Sequence, residues 1–253
     1  MSINSEQDLQ GMKRAGAAAA EALRTMKEMV LPNVTPADLN QRCWEIFKKY
    51  NAFSAPALVY GAPVHAFISV NADIVHGLPT KRKVQPGDVV KLDVTPFVDG
   101  YIADAAVTVV VGEGSSSFDK LRTSLSQKLV ACAEKAFWSA MEATRAKQPL
   151  NGIGRSVEKE VNRAGFKVIR QLSGHSTGRS IHEEPEVLNF YMKDNRQLHE
   201  GLVLAVEPMI AARNPDVVHR GDGWTIGTKD GSLTAHFEHT VVVTNGKPLI
   251  LTA

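Results

Sequence analysis

Four acidic residues stand within apolar segments of this sequence. Asp93 and Asp104 lie on either side of the dipeptide Asp99-Gly100, and Glu207 and Glu238 lie in two later apolar segments. Aspartate is unfavourable in strands, and a buried carboxylate costs several kcal/mol unless it is paired or bound to a metal. Each acid taken singly could instead point to solvent from a strand edge. Taken together, they predict a shared site for divalent cations.

The dipeptide Asp99-Gly100 predicts a two-residue hairpin turn that brings the two aspartates together. With this turn, facing residues have numbers that add to 199, so Asp93 faces Ala106 and Asp104 is its diagonal neighbour. Diagonal neighbours on one face of a hairpin lie about 7–8 Å apart. The two carboxylates are then close enough to share bound cations.

His175 is the best candidate for a nitrogen ligand, because it follows a predicted strand and the preceding Gly174 permits close backbone approach. Four acids and one imidazole suit two divalent ions such as Mn²⁺, Fe²⁺, Co²⁺ or Zn²⁺, whereas the lack of clustered cysteines disfavours a structural zinc site. Two such ions about 3.5–4 Å apart can activate a water and polarise a carbonyl. His76 and His182 are candidates for substrate contact. The remaining histidines are interpreted as ordinary residues without a functional role: His65, His199, His219, His236 and His239.

A competing motif overlaps this histidine, because the segment from Gly174 to Gly178 also matches the G-x-S-x-G elbow of serine hydrolases, with Ser176 as nucleophile. That elbow requires a strand, a sharp turn and then a helix. Pro185 limits any helix here, and the elbow leaves the four acids unexplained, so this interpretation is disfavoured. Neither a G-x-G-x-x-G nor a P-loop sequence occurs, so nucleotide binding has no support from motifs.

Hydrophobic periodicity predicts a mixed α/β chain. Helices are predicted over 5–30, 36–49, 118–146 and 153–164, with irregular structure over 51–65 and a polar loop over 112–117. Strands are predicted over 67–71, 89–97, 101–111, 166–172, 202–206 and 237–244.

A faint internal repeat relates the two halves of the chain. A histidine stands three residues before a proline at both His76 and His182, and a glycine stands six residues before both Asp93 and Glu207. These coincidences predict two related halves that meet around one site.

Composition bounds the location and the partners of the protein. The 253 residues include 29 Lys+Arg and 27 Asp+Glu, a balance that argues against nucleic acid or an anionic membrane as a partner. Only Cys43 and Cys132 are present, far apart, which favours a reducing cytoplasm over a disulfide framework. No signal peptide and no run of about 20 apolar residues is found. We therefore expect a cytoplasmic protein.

The combination and order of these residues resemble the type I methionine aminopeptidases of the pita-bread metallopeptidase family. The resemblance runs from the first helix to the end of the chain. Its anchors are Ser69-Val70-Asn71 with His76-Gly77-Leu78-Pro79, the hairpin of Asp93 and Asp104, Gly174-His175, His182-Glu183-Glu184-Pro185, Val206-Glu207-Pro208-Met209, Asp222-Gly223-Trp224-Thr225 and Phe237-Glu238-His239-Thr240.

The resemblance implies a single pita-bread domain over residues 1–253, with two pseudo-symmetric halves around a central metal site. It implies a monomeric enzyme that removes an N-terminal residue, most often methionine, from peptides or nascent chains. The implied ligands of the two ions are Asp93, Asp104, His175, Glu207 and Glu238. The implied catalytic residues are His76, His182 and Glu207, with Glu207 also relaying a proton, and the implied substrate contacts are His76, Phe67, His182 and Trp224.

Several positions depart from the family pattern. Phe67 and Val75 stand where cysteine is usual, Val59 and Ala62 stand where aromatic residues are usual, and Ser176 replaces a glycine. These changes predict an altered apolar pocket that still accepts methionine but discriminates less strongly. Two alternatives therefore stay open: a pita-bread peptidase of other specificity, such as the Xaa-Pro type, and a noncatalytic peptide-binding module. The intact set of acids and His175 favours catalysis over binding.

Overall fold

A computed structural model describes the backbone of residues 1–112 and 117–253 and the side chains of residues 1–112 and 124–253. The predicted polar loop over 112–117 therefore falls largely outside the described residues. Of the helices described, none combines the length and the apolarity that a membrane crossing needs. The helices are α1 (Glu6–Met29), α2 (Pro36–Lys49), α3 (Ala55–Tyr60), α4 (Ser117–Met141) and α5 (Asn151–Arg163).

Among the described residues the strands are short, and eight of them form one antiparallel sheet, while the others form three small sheets of three strands each. They are β1 (Phe53–Ser54), β2 (Phe67–Val70), β3 (Asp73–Val75), β4 (Val89–Val94), β5 (Pro96–Val98), β6 (Tyr101–Ile102), β7 (Ala105–Val110), β8 (Lys167–Val168), β9 (Gly174–Ser176), β10 (Glu183–Val187), β11 (Val203–Val206), β12 (Met209–Ala211), β13 (Val217–His219), β14 (Ile226–Thr228), β15 (Thr234–His236), β16 (Glu238–Val242) and β17 (Leu249–Ile250). The main sheet has the order β10-β9-β11-β16-β7-β4-β2, and β17 also pairs with β16.

The two halves repeat one order of elements, as the internal repeat predicts. In the first half α1 and α2 precede β2, β4 and β7, and in the second half α4 and α5 precede β9, β11 and β16. The glycines before β4 and β11 both have positive φ, 82° at Gly87 and 83° at Gly201. The halves join where β7 pairs with β16, which places Glu238 opposite Ala106.

Each helix pair forms a separate apolar core against the sheet, and the first core also takes in Val203 and Val242 of the second half. Phe47 of α2 and Leu92 of β4 belong to the first core, and Phe137 of α4 and Val241 of β16 belong to the second. All four side chains are fully buried. Helix positions are therefore set by packing on either side of the junction, and the junction is where the site lies.

Capping residues explain where the first two helices begin. The Ser5 hydroxyl accepts a hydrogen bond from the Asp8 amide at the start of α1. At the start of α2, Thr35 and Asp38 form a reciprocal capping box, and Pro36 occupies the first turn. These contacts satisfy amides that have no partner within the helix. Both predicted helices are confirmed.

The prediction of irregular structure over 51–65 is wrong, because this segment contains α3. The Ser54 side chain caps the helix, Pro56 lies in its first turn, and Gly61 ends it in the left-handed conformation at φ 71°. A six-residue helix is too short to show a clear period. Its sequence signals are the local ones at its two ends, Ser54 with Pro56 at the start and Gly61 at the end.

Two predicted elements are longer than the observed ones, because tertiary hydrogen bonds end them early. Helix α4 ends at Met141 rather than at 146, since the Ala146 amide donates to the Thr244 carbonyl. The strand predicted over 166–172 shrinks to β8, which pairs with β12 through Lys167 and Val168 only. The chain then bends towards the site.

Candidate metal centre

The predicted hairpin has the predicted register. Asp93 pairs with Ala106, and the turn residues Asp99 and Gly100 have φ values of 50° and 85°. Two successive positive φ values are typical of the type I′ turn that suits a two-residue hairpin. The prediction that Asp104 lies within the returning strand is wrong, because Asp104 occupies a break between β6 and β7.

The register of three strands places two acids on one face of the main sheet. Ala106 pairs with Asp93 on one side and with Glu238 on the other. Directly paired residues share a face, so both carboxylates lie on the same side as the small Ala106 methyl group. This arrangement leaves open space between carboxylates from the two halves.

Asp104 is held by contacts from both halves. Its backbone amide donates to the Thr240 hydroxyl at 2.7 Å, and the Thr240 hydroxyl donates to the Asp104 carbonyl oxygen at 2.8 Å. The Thr95 hydroxyl donates to its carboxylate at 3.0 Å. The break in the strand is therefore stabilised rather than loose, and it fixes the side chain of Asp104 in the site.

His175 lies in β9 with its ring facing the acids. Its Nε2 atom is 3.3 Å from Oε1 of Glu207 and 4.0 Å from Oδ2 of Asp104. Its Nδ1 atom is 3.0 Å from the Ser176 carbonyl oxygen, which assigns the proton to Nδ1 and leaves Nε2 free to bind a cation. A Cβ at Gly174 would lie 2.4 Å from the Ala205 carbonyl oxygen, so glycine is required beside this histidine.

A second imidazole, missed by the sequence analysis, faces the same acids. His236 is 2% exposed, and its Nε2 atom lies 3.6 Å from Oε2 of Glu207 and 3.5 Å from Oε2 of Glu238. Neither ring nitrogen has a hydrogen-bond partner among the residues described. The interpretation as an ordinary residue did not anticipate this position beside the acids. Its place in an apolar strand, two residues before Glu238, was the available signal.

Burial disfavours the charged forms of the side chains in this cluster. It raises the pKa of the Asp93, Asp104, Glu207 and Glu238 carboxyls, and at the last three the neighbouring carboxylates raise it further. Burial also lowers the pKa of His175 to about 4 and that of His236 to about 3. Neutral imidazoles are the form that binds metals, and a divalent cation offsets crowded carboxylates.

Five donor residues fall into two groups that share Glu238, whereas Asp93 lines the cavity but belongs to neither group. One contains Asp104, His175 and Glu238, the other contains Glu207, His236 and Glu238, and in each the donor atoms lie within 4.8 Å of one another. The Oε1 atom of Glu238 is buried with no hydrogen-bond partner within the described structure. Oxygen and imidazole donors with an unpartnered carboxylate oxygen fit divalent ions of the Mn²⁺ to Zn²⁺ group.

The acids and His175 form one wall of a cavity of about 160 Å³. Every predicted ligand, catalytic residue and substrate contact lines this cavity, including Phe67 and Trp224. The Phe67 ring lies against His76, with ring centroids 4.9 Å apart, and 6.1 Å from Trp224. Further apolar lining comes from Val75, Leu172, Ile181 and Met209.

His76 and His182 also line the cavity. Burial lowers the pKa of His76 to about 4 and lowers that of His182 as well. The Tyr60 hydroxyl lies 2.9 Å from Nδ1 of His182, whose ring is 4.4 Å from that of His175. Both histidines can therefore act as neutral hydrogen-bonding groups beside the candidate metal ligands.

The predicted pocket wall needs correction at two positions. Val59 is 56% exposed on α3, and Ala62 is buried against Phe67, so neither side chain lines the cavity. Tyr60, which the sequence analysis did not single out, supplies an aromatic ring to this wall. The unpredicted helix α3 is the cause, because it places the half-exposed Tyr60 against the cavity and Val59 away from it.

The serine-hydrolase interpretation fails on local structure. Ser176 is fully buried within β9, and the chain continues through a loop into β10 rather than into a helix. An elbow serine needs an exposed hydroxyl between a strand and a helix.

Comparison with known proteins agrees with this geometry. The profile of metallopeptidase family M24 matches residues 10–245. Methionine aminopeptidase 2 of Bacillus subtilis is 36% identical over 255 residues, covering 100% of this chain and 99% of that protein.

Solved structures show the same fold. The structure of methionine aminopeptidase from Thermotoga maritima has a TM-score of 0.92 and 36% identity, covering 100% of this chain and 99% of that one. Prolidase from Pyrococcus furiosus has a TM-score of 0.74 and 18% identity, covering 99% of this chain and 65% of that one, and this likeness concerns the fold alone. The fold is thus the pita-bread fold, and the chain belongs to metallopeptidase family M24.

Proposed function

We propose that this protein is a metal-dependent aminopeptidase that removes N-terminal methionine from peptides or nascent chains. The observation that carries this proposal is the cluster of buried carboxylates and imidazoles at one wall of an apolar cavity. The similarity to methionine aminopeptidases over the whole chain supports it. We further propose that residues 1–253 act as one domain, as a monomer, in the cytoplasm.

Asp93, Asp104, His175, Glu207 and Glu238 are the proposed ligands of two divalent ions. All five line the cavity, and they come from both halves of the main sheet. When bound, such ions polarise the scissile carbonyl and make a water acidic at neutral pH. The combination of four carboxylates with one imidazole suits Mn²⁺, Fe²⁺, Co²⁺ or Zn²⁺.

Glu207 is the proposed general base and acid. Its carboxylate lies at the cavity wall between His175 and His236, and burial raises its pKa above that of an exposed glutamate. From this position the carboxylate can take a proton from the attacking water and return it to the leaving amine. The Asn189 side chain donates to the Glu207 carbonyl at 3.0 Å and so fixes its backbone.

His76 and His182 are proposed to hold the substrate carbonyl. If the Tyr60 hydroxyl donates to Nδ1 of His182, the proton of this neutral ring is on Nε2, which can donate to substrate. The same ring packs against His175, so the donor is fixed relative to the metal ligands. Stabilisation of the developing oxyanion is the expected contribution of these donors.

The apolar wall of the cavity is the proposed site for the first side chain of the substrate. Phe67, Val75 and Trp224 line it, together with Met209 and Leu172. An unbranched thioether adapts well to an irregular apolar space of this kind.

The proposal is tested with a peptide that begins with methionine, followed by alanine, and with its N-acetylated form. We expect protein supplied with Mn²⁺ or Co²⁺ to release free methionine from the first peptide alone, as measured by chromatography and mass spectrometry. A matched Xaa-Pro dipeptide tests the alternative specificity. Cleavage of that dipeptide without release of methionine would replace the proposed activity, and no cleavage of any peptide would favour a binding module.

A further inference from the structure

One buried group in the centre has no role in the function proposed above. His236 enters the cavity from β15, outside the main sheet whose strands contain Asp93, His175 and Glu238. It is 2% exposed, and both of its ring nitrogens lack hydrogen-bond partners among the residues described. An unpartnered polar group at this depth is costly and calls for a ligand.

The distances around His236 are too long for hydrogen bonds. Its Nε2 atom lies 3.6 Å from Glu207 Oε2 and 3.5 Å from Glu238 Oε2, whereas N–H···O bonds span about 2.7–3.2 Å. Atoms that bind one tetrahedral ion at about 2.0–2.2 Å are roughly 3.3–3.6 Å from one another. His175 and Glu207, at 3.3 Å, show the same spacing.

We propose that His236 is a sixth protein ligand of the metal centre, binding a divalent cation through Nε2 together with Glu207 and Glu238. The inference rests on the proposed metal centre and adds a second nitrogen donor to it. The donor groups then contain one imidazole each, His175 in one and His236 in the other, with Glu238 shared.

A second imidazole changes which ions the centre prefers. Imidazole suits Co²⁺, Fe²⁺ and Zn²⁺, whereas Mn²⁺ prefers carboxylate and water oxygen. His236 therefore biases the centre towards Co²⁺ and Zn²⁺ and away from Mn²⁺. Replacement by glutamine keeps a polar side chain of similar reach but substitutes an amide oxygen for the nitrogen.

The test is calorimetric titration of metal-stripped His236→Gln with CoCl₂ and with MnCl₂. We expect Kd for Co²⁺ to rise about tenfold or more while Kd for Mn²⁺ changes by less than about threefold. His199→Gln is the matched control, because His199 is an exposed histidine that contacts only Ser2 among the contacts given for its side chain. Circular dichroism checks that each variant is folded.

A measurement on the unmodified protein covers the case in which His236→Gln does not fold. Proton NMR of the Co²⁺-loaded protein detects ring N–H protons of bound histidines as strongly shifted signals that disappear in D₂O. We expect two such signals, from His175 and His236. A single signal would overturn the proposal.

The outcomes separate this inference from the proposed function. If unmodified protein binds neither ion, both fail. If it binds Co²⁺ and hydrolyses methionyl peptides while His236→Gln retains its affinity for both ions, only the role of His236 is overturned. An equal loss of affinity for both ions would also overturn it, because a general disturbance of the site, not a nitrogen donor, would then explain the result.

Discussion

The two halves of the molecule supply the metal centre in different ways. The first half contributes Asp93 and Asp104 from one hairpin, close in sequence and joined by a two-residue turn. The second half contributes its donors from three separate segments, which long-range pairing brings together. These donors are His175 in β9, Glu207 after β11, His236 in β15 and Glu238 in β16.

The difference is chemical as well as structural. Both imidazoles and both longer carboxylates come from the second half, and the first half supplies only short carboxylates. A glutamate arm has one more rotatable bond than an aspartate arm. We therefore place proton transfer and metal selectivity in the second half, and rigid anchoring of the ions in the first.

The largest expected effect is loss of proton transfer in Glu207→Gln. The variant keeps the shape of the side chain but removes its basic carboxylate, and loss of general acid–base assistance lowers kcat by about 10²–10⁴-fold. Single-turnover hydrolysis of a methionyl peptide measures it, with metal content determined on the same sample. Ser176→Ala should retain most activity. Near-normal turnover by metal-loaded Glu207→Gln would contradict the assignment of proton transfer to this residue of the second half.

The next prediction concerns pH and stability in the presence of a chelator. Burial raises the pKa of Glu238, so folding favours its neutral form. Below about pH 4 the carboxyl is protonated in both states, and above that pH its ionisation favours unfolding. The glutamine in Glu238→Gln cannot ionise. We therefore expect the free energy of unfolding of this variant, relative to that of the unmodified protein, to increase as pH rises.

Urea titrations from pH 4.5 to 7.5 with chelator measure this difference. Surface carboxylates in ion pairs, such as Asp194 with Arg196, make stability rise with pH instead. This contribution is the same in Glu238→Gln and in the unmodified protein, so it cancels in the difference. Saturating Mn²⁺ should reverse the order, because the unmodified carboxylate binds the ion more strongly. A difference that is constant with pH would contradict the account of the cluster.

A smaller effect is expected where the halves are joined. Thr240 of the second half holds the backbone of Asp104 of the first half by two hydrogen bonds. Thr240→Val leaves a buried amide and a buried carbonyl unpaired, which costs about 1–3 kcal/mol each. We expect reduced stability and weaker metal binding together. Thr144→Val removes a buried hydroxyl far from the site, bonded within its own segment, and should lower stability alone.

The smallest effect concerns specificity. Phe67 narrows the cavity beside His76 and Trp224, and we expect only modest preference for methionine over leucine in the unmodified protein. Phe67→Cys opens a deeper slot that a linear side chain fills better than a branched one. Discrimination by apolar contacts is worth about 1–3 kcal/mol. The ratio of kcat/KM for the methionyl peptide to kcat/KM for the leucyl peptide should therefore rise about tenfold in this variant.

Peptides that begin with Met, norleucine, Leu and Ala measure this change. Val59→Ala is the control, because the Val59 side chain lies outside the cavity. A preference of several orders of magnitude for Met over Leu before substitution would show that the pocket is not relaxed.

Local signals explain what could be predicted from the sequence. The turn at Asp99-Gly100 gave the register of Asp93, and hydrophobic periodicity gave the first two helices. Acids in apolar segments gave the four carboxylates, because burying an unpaired charge is unfavourable whatever the fold. The position of Asp93 opposite Ala106, in the first half of the centre, was therefore predictable from the sequence.

Long-range packing explains what was missed. The sequence places His236 two residues before Glu238 but does not show that β15 approaches β4 and β7, and this approach places its ring beside Glu207. The place of Tyr60 in the cavity wall and of Val59 outside it depends on α3, a single short helix without a clear period. The early end of α4 depends on one amide bonded to Thr244, about 100 residues away.

The most direct test of the central claim is hydrolysis of a methionyl peptide by protein stripped with chelator, with metal content measured by mass spectrometry on the same sample. We predict no release of methionine from the stripped protein and recovery on addition of Mn²⁺, Co²⁺ or Fe²⁺. The proposed ligands of both halves should be needed for recovery, so Asp93→Asn and Glu238→Gln should each prevent it. Full activity in a preparation verified to contain no metal would contradict the account.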